Sequence, residues 1–306
     1  MDWLARMNAA LAYVEENLDG VIDFETLAKI ACCSTHNFTR MFSFITDVSL
    51  SEHIRRRRLT LAALELQNSD VKVIDVAVKY GYNSPVSFTR AFQQLHGVTP
   101  SEARANGVTL KAYPKMSFKI QIKGEKEMDY RIETKEAFQI FGIEKISKDE
   151  EVELLGTAED AEIVAMVDDL WEACHESGEI EKLKADAGDL PSFVSKNLRK
   201  LHVAFNYRDT APSTFPSMLF AFRGPTSKTE GYTVADIPAH TWAIFPSDKY
   251  TESEHDEILV ALNKRIYTEW IPASNYEPVS DLEMEVYGGD EENRYVEIWL
   301  AVCKKV

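Results

Sequence analysis

The chain has 306 residues and a formal net charge of −16 at pH 7. This length suggests two domains with sizeable cores. No apolar run approaches 18 residues and no secretory leader opens the sequence, so we expect a cytoplasmic protein with no membrane partner. The four cysteines lack metal-ligand spacing, and we therefore expect neither a bound metal, nor a disulfide framework, nor a cofactor.

The acidic charge is concentrated in the second part of the chain. Up to residue 110, eleven basic side chains nearly balance twelve acidic ones, whereas the remainder holds 23 basic and 38 acidic residues. Residues 26–46 and 76–101 contain no Asp or Glu. A surface that approaches DNA phosphates must lack acidic side chains, so both windows are candidates for nucleic-acid contact, although such windows also arise by chance.

Helical periodicity dominates the first 110 residues. Apolar residues at helical spacing predict an amphipathic helix over the first 18 residues, and Asp23 is placed to cap a second helix. A turn at residues 32–34 leads into a third helix. Ser49 then opens a long joining helix that carries four consecutive arginines, of which we expect one or two to contact phosphate.

A second set of helices follows the joining helix. Ser84 and Pro85 are a helix N-cap and first-turn proline, and Gly97 suits the left-handed residue that ends this helix. Residues 99–102 form a capping box, which predicts a further helix start. The sequence therefore predicts a helix-turn-helix with residues 84–95 in the recognition position.

The third helix repeats the pattern of the later one, since F-T-R-M-F at residues 38–42 matches F-T-R-A-F at residues 88–92. Because the aromatic residues define the inward face, the outward residues are candidate base readers. An arginine there can read guanine, but each arginine could instead clamp phosphate or form a structural salt bridge. The candidates are His36, Thr39, Arg40, Ser84, Pro85, Val86, Thr89 and Arg90.

Residues 77–100 resemble the second helix-turn-helix of AraC/XylS-family transcription regulators. The matching positions are Ala77, Gly81, Tyr82, Ser84, Phe88, Arg90, Phe92, Gly97, Thr99 and Pro100. The resemblance implies that an all-α domain with two helix-turn-helix units binds double-stranded DNA. The first unit departs from the family pattern, because Asp47 stands near the position where a glycine is usual.

The second part shows two copies of a strand pair, a helix and another strand pair, which predict a duplicated α+β module with a cleft between its halves. Its sequence resembles the GyrI-like, effector-binding domain. We therefore expect a double helix-turn-helix domain at residues 1–110, a linker at residues 111–127 and a GyrI-like ligand-binding domain at residues 128–306.

In the GyrI-like family a Glu-x-Tyr pair lies in the ligand cleft, and here the resemblance points to Glu285 and Tyr287. Strand alternation also places Glu283 on the side of Glu285. Aromatic side chains around a carboxylate would suit a lipophilic cation, although such residues are more often ordinary core. The aromatic candidates are Trp171, Tyr207, Phe222 and Trp299.

These features favour a transcription regulator that responds to a small-molecule effector, with RNA polymerase as a further candidate partner. Two alternatives stay open. The acidic second part could be a protein-interaction surface only, or it could be a GyrI-like hydrolase that uses Glu285 as general base. No metal motif, nucleophile elbow or phosphate loop supports catalysis, so we do not expect an enzyme.

Overall fold

The structure is a computed structural model that describes residues 3–105, 107–119, 127–148, 174–175, 177–211 and 214–305. The described residues form two compact units, a helical unit up to residue 119 and a sheet unit after it. Within these ranges, no helix combines the length and apolar character needed to cross a membrane.

The helical unit follows the order that periodicity predicts. Asp23 caps the second helix by accepting the backbone N–H of Glu25, and Ser34 caps the third by accepting that of Asn37. The last three helices share one apolar core, and the first three helices bury apolar side chains of their own. The helices are α1 (Trp3–Glu16), α2 (Phe24–Ala31), α3 (Thr35–Thr46), α4 (Leu50–Asn68), α5 (Val73–Lys79) and α6 (Pro85–His96).

Both α3 and α6 end at a residue in the left-handed conformation, but the two residues differ in their side chains. Gly97 ends α6 with a φ of 79°, and Asp47 ends α3 with a φ of 57°. Asp is among the few non-glycine residues that adopt this left-handed conformation readily. The departure from the family pattern at Asp47 therefore leaves the helix end intact.

The four arginines of α4 all have intramolecular partners. Arg55 and Arg56 share the carboxylate of Glu52. Arg57 forms a bidentate ion pair with Glu15 of α1, with two N···O distances of 2.8 Å. The structure thus assigns these three side chains to contacts within the unit, where the sequence predicted one or two phosphate contacts.

Arg58, the fourth arginine, joins the two helix-turn-helix units. Its guanidinium donates to the backbone oxygens of Leu18 and Gly20 after α1, at 3.0 and 2.7 Å. A Cβ added at Gly81, in the turn before α6, would lie 2.7 Å from Arg58 Nη1. One buried side chain therefore packs against the loops of both units.

Residues 107–119 have no regular secondary structure but pack against the helical unit. Leu110 and Tyr113 pack on the core that contains Phe88 and Phe92. Phe118 stacks edge-on against Phe42 of α3, with ring centroids 6.2 Å apart. Residues 111–119, expected in a linker, thus lie against both helix-turn-helix units.

The second unit contains one eight-stranded antiparallel sheet, with strand order β1-β6-β8-β7-β3-β4-β2-β5. This order is symmetric, because exchanging each of the first four strands with its counterpart among the last four (β1 with β5, β2 with β6, and so on) gives the same order read backwards. The sheet is therefore a duplicated module, in which the first strand of each half pairs with the second strand of the other half. The expected α+β architecture is confirmed. The strands are β1 (Arg131–Lys135), β2 (Phe138–Lys148), β3 (His202–Phe205), β4 (Thr214–Phe222), β5 (Thr233–Ile237), β6 (His240–Pro246), β7 (Tyr276–Gly288) and β8 (Tyr295–Lys304).

Two helices of eight residues or more accompany the sheet in the described residues, α7 (Glu179–Asp186) and α8 (His255–Arg265), and a π-helical turn (Ile266–Trp270) continues α8. The sequence predicts a helix around residues 163–174, of which residues 163–173 lie outside the described residues. The sheet has a core face, defined by Met284, Val286 and the side chains packed with them, and a carboxylate face, defined by Glu283, Glu285 and Tyr287.

Burial of a histidine makes the sheet unit sensitive to acid. His202 is fully buried, and burial lowers the pKa of its imidazole to about 3. Its Nδ1 accepts the backbone N–H of Tyr287 at 3.1 Å, which requires the unprotonated nitrogen. Because the unfolded chain regains a pKa of about 6.5, only the unfolded state binds this proton between pH 6.5 and 3.

We predict that the free energy of unfolding of the sheet unit falls as the pH drops below about 6.5, by up to about 1.4 kcal/mol per pH unit for this group. His202→Asn keeps an acceptor and should flatten this dependence. Urea titrations between pH 7.5 and 5, followed by tryptophan fluorescence, measure the slope. The control is the exposed His175→Asn, and an unchanged slope in His202→Asn would contradict the assignment.

Candidate DNA interface and ligand cleft

The outward side of α6 is an open surface that combines polar and apolar side chains. It is lined by Pro85, Val86, Thr89, Arg90, Gln93 and Gln94. Val86 is 79% exposed, whereas Phe88 and Phe92 on the opposite side are fully buried. The inward and outward sides of this helix are therefore those that the periodicity predicts.

Two predicted residues of α6 have local structural roles. Ser84 caps the helix, its Oγ accepting the backbone N–H of Ser87 at 3.1 Å. Thr89 donates its hydroxyl to the carbonyl of Pro85 at 2.7 Å. Arg90, with an exposed side chain on an acid-free helix, is the residue best placed to reach a base or phosphate.

Gln93 and Gln94 belong to the same surface but were not predicted. Gln93 follows Thr89 by one helical turn, and Gln94 follows Arg90 in the same way, so helical spacing could have identified both. A glutamine side-chain amide can form two hydrogen bonds with one adenine, so both residues are candidate base readers.

The structure places the candidates of α3 differently. His36, Thr39 and Arg40 are 8%, 2% and 7% exposed, so the expectation that they face outward is wrong for this conformation. The Arg40 guanidinium lies over the ring of Phe44, 5.0 Å from its centroid. Burial lowers the pKa of His36 to about 3, with a smaller contribution from the charge of Arg40. A helical repeat identifies the inward face of a helix but not whether its other face is open, which explains the error.

In the sheet unit, strand pairing separates Glu285 from three of its four predicted aromatic neighbours. Trp299 pairs with Met284 and so shares the core face. Phe222 and Tyr207 pack in the same apolar core. The prediction that these three rings surround Glu285 is wrong, because alternate residues of one strand point to opposite faces. Trp171, the fourth, lies outside the described residues.

The carboxylate face holds two buried acids. Glu283 and Glu285 are 3% and 1% exposed. Glu285 Oε2 accepts the hydroxyl of Tyr287 at 2.8 Å, which is consistent with the shared face that strand alternation predicts for the two residues. Glu283 Oε2 accepts the hydroxyl of Tyr267, in the π-helical turn, at 3.2 Å.

The cross-strand neighbours of these acids are apolar. Glu285 lies between Val203 on β3 and Ile298 on β8. Glu283 lies between Phe205 on β3 and Leu300 on β8 in the same way. Because β7 and β3 are the central strands of the sheet, the two carboxylates lie at the pseudo-two-fold axis that relates its halves.

Two further residues join this cluster that the sequence did not identify. The His255 ring lies 5.8 Å from that of Tyr287 and 5.5 Å from that of Tyr250. Burial raises the pKa of Tyr250 to about 12, and the charge of Glu285 contributes to the increase. Both residues come from the loop and helix start after β6, far in sequence from Glu285, so no spacing pattern could have connected them.

The core face has its own charged residues at one end. Lys135 Nζ lies 4.7 Å from the Trp299 ring centroid and 2.6 Å from Glu133. Glu297, 6% exposed, accepts from Arg131 at 2.7 Å and from Trp299 Nε1 at 2.9 Å. Glu133 and Glu297 are thus paired with cations at this end of the core face. The ranges covered by the structure contain no group of three or more potential metal ligands.

Comparison with known proteins assigns both parts of the chain. The helix-turn-helix domain family matches residues 27–106, and the family of the integron-associated effector binding protein matches residues 131–302. The Transposon Tn10 TetD protein of Escherichia coli is 40% identical over 96 residues, which are 31% of this chain and 70% of TetD. Regulatory protein SoxS of Escherichia coli K12 is 35% identical over 94 residues, 31% of this chain and 88% of SoxS.

Solved structures resemble each part separately. SAV2435 bound to tetraphenylphosphonium aligns with a TM-score of 0.42 and 16% identity, over 57% of this chain and 94% of SAV2435. The DNA-binding domain of AdpA in complex with a target DNA aligns with a TM-score of 0.30 and 32% identity, over 34% of this chain and 91% of that domain. From the sequence matches, the chain belongs to the AraC-type helix-turn-helix regulators and carries an effector-binding domain of the integron-associated, GyrI-like family.

Proposed function

We propose that this regulator changes its affinity for double-stranded DNA when a lipophilic cation occupies the carboxylate face of the sheet unit. The observation that carries this proposal is the pair of buried acids, Glu283 and Glu285, at the pseudo-two-fold axis. A ligand can shift the DNA affinity only by binding one conformation more tightly than another.

The chemistry of the carboxylate face supports a cationic effector. Burying a carboxylate is costly, because hydrogen bonds replace only part of its lost hydration. A ligand cation beside Glu285 offsets this cost, and the rings of Tyr287, Tyr250 and His255 add cation–π attraction. The apolar neighbours Val203 and Ile298 suit the hydrocarbon part of such a molecule.

For DNA, we propose that α6 reads one major groove through Arg90, Val86 and the two glutamines. Val86 can pack on a thymine methyl group, while Arg90 can bind guanine or phosphate. His36, Thr39 and Arg40 are proposed to face the next groove after they become exposed. RNA polymerase is a further candidate partner, through the acidic second part of the chain, and the cytoplasm is the proposed location.

We propose a binding role for Glu285 and not general-base catalysis, because the relatives named for the helical unit include transcription regulators. The two roles make different predictions for the ligand. A sensor releases its ligand unchanged, whereas a hydrolase releases a compound of altered mass. Native mass spectrometry of the full chain with tetraphenylphosphonium, and with a panel of cationic esters, distinguishes them.

Arg90→Ala should weaken DNA binding by about 1 to 3 kcal/mol and relax the preference at one base pair. The DNA is a duplex selected from a random library by the unaltered chain, and fluorescence anisotropy measures the affinity. Lys79→Ala, which removes another exposed cation of the same unit, is the matched control. Equal weakening on all sequences would show that Arg90 contacts phosphate only.

Glu285→Gln should weaken tetraphenylphosphonium binding about tenfold or more, because it removes a buried negative charge beside the cation. The DNA affinity of the ligand-free protein should not change. Isothermal titration calorimetry measures the affinity for tetraphenylphosphonium, and fluorescence anisotropy measures the affinity for DNA.

Glu297→Gln is the matched control, since Glu297 is also a buried acid but lies on the core face beside Trp299. It should leave cation binding unchanged. If Glu297→Gln weakens the cation and Glu285→Gln does not, the ligand occupies the core face and the proposed site is wrong.

A further inference from the structure

Residues 110–119 form a strap across the helical unit. The half-buried side chains of Leu110, Tyr113 and Phe118 alternate irregularly with exposed ones such as Lys115. The strap has no hydrogen-bonded strand or helix of its own, so its path is set by contacts with the helices. These contacts occur in three places, which follow one another along the chain.

The first part of the strap belongs to the second helix-turn-helix. Leu110 and Tyr113 pack against the buried cluster that includes Phe88 and Phe92 of α6. The inward face of α6 and the start of the strap therefore share one core.

The middle of the strap is fixed to the joining helix. The backbone N–H of Tyr113 donates to Thr60 Oγ1 at 3.1 Å, and its carbonyl accepts from Arg57. The Arg56 guanidinium lies 5.2 Å from the centroid of the Tyr113 ring. Since Arg57 also forms the bidentate pair with Glu15, it connects the strap to α1 as well as α4.

The end of the strap is fixed to the first helix-turn-helix. The side-chain amide of Asn8, on α1, accepts the backbone N–H of Phe118 at 2.8 Å and donates to its carbonyl at 3.0 Å. The amide thus pairs with the backbone of Phe118 as a residue of a neighbouring β-strand would. It holds the Phe118 ring against Phe42, which lies on the inward side of α3.

We propose that the strap is a positioning element for DNA reading, and that Asn8 and Phe118 fix the distance and angle between α3 and α6. A protein that reads two major grooves needs its recognition helices about 34 Å apart, in matching orientation. The joining helix already contacts both helix-turn-helix units, and the strap adds a second connection between them. Two connections resist a relative rotation that one connection allows.

The proposal predicts an altered tolerance for half-site spacing. Inserting one base pair between two half-sites moves them by about 3.4 Å and rotates them by about a tenth of a turn. The unaltered chain should lose about tenfold or more in affinity on such a duplex. In Asn8→Ala and Phe118→Ala this loss should shrink to about threefold or less, because a looser unit adapts to the new spacing.

The experiment uses the full chain, with a two-half-site duplex obtained by selection from random DNA and its one-base-pair insertion. A duplex that keeps only the half-site protected by α6 should bind both variants and the unaltered chain equally. Lys115→Ala, an exposed change within the strap, should behave like the unaltered chain. Thermal melting checks that each variant is folded at the assay temperature.

Two results would overturn the proposal. An insertion penalty in Asn8→Ala and Phe118→Ala equal to that of the unaltered chain would show that the strap does not set the spacing. Equal weakening on all three duplexes would show that these residues contribute stability only. Neither readout involves an effector, so the outcome is independent of the proposed ligand site.

Discussion

Strand alternation in β7 is the constraint on which the chemistry of the sheet unit depends. Met284 and Val286 point into the apolar core, and the intervening Glu285 must therefore point to the other face. A shift of one residue in register would bury both acids in that core and expose its apolar side chains. The pairing of β7 with β3 and β8 thus separates the core face, which stabilises the fold, from the carboxylate face, which holds the buried acids.

The two recognition helices illustrate how a repeated sequence pattern can have unequal surroundings. Both carry F-T-R and two core aromatic residues, yet Arg90 is exposed and Arg40 is 7% exposed over Phe44. The equivalent arginines of the two helix-turn-helix units therefore differ, since one is exposed and the other is buried. In the proposed mode of DNA reading, Arg40 must first become exposed, a step that Arg90 does not require.

The sequence predicted the six α-helices of the helical unit and the strands of the sheet unit, because caps, glycines and apolar spacing are local signals, but it did not predict α7. It also identified Glu285 and Tyr287 as partners, since an i, i+2 pair shares one face of any strand. It could not place Trp299 relative to Glu285, because that depends on the register between β7 and β8. His255 and Tyr250 were missed for the same reason: their approach to Tyr287 is set by tertiary packing and leaves no spacing in the sequence.

The path of the strap determines where the chain leaves the helical unit. It departs beside α1 and α3, after crossing the whole unit from α6, and the helix-turn-helix match ends earlier, at residue 106. A fragment cut at that boundary would contain both recognition helices in full, yet it would lack the residues that fasten one to the other. Minimal DNA-binding fragments of this protein are therefore better ended at residue 119 than at residue 106, where the family match ends.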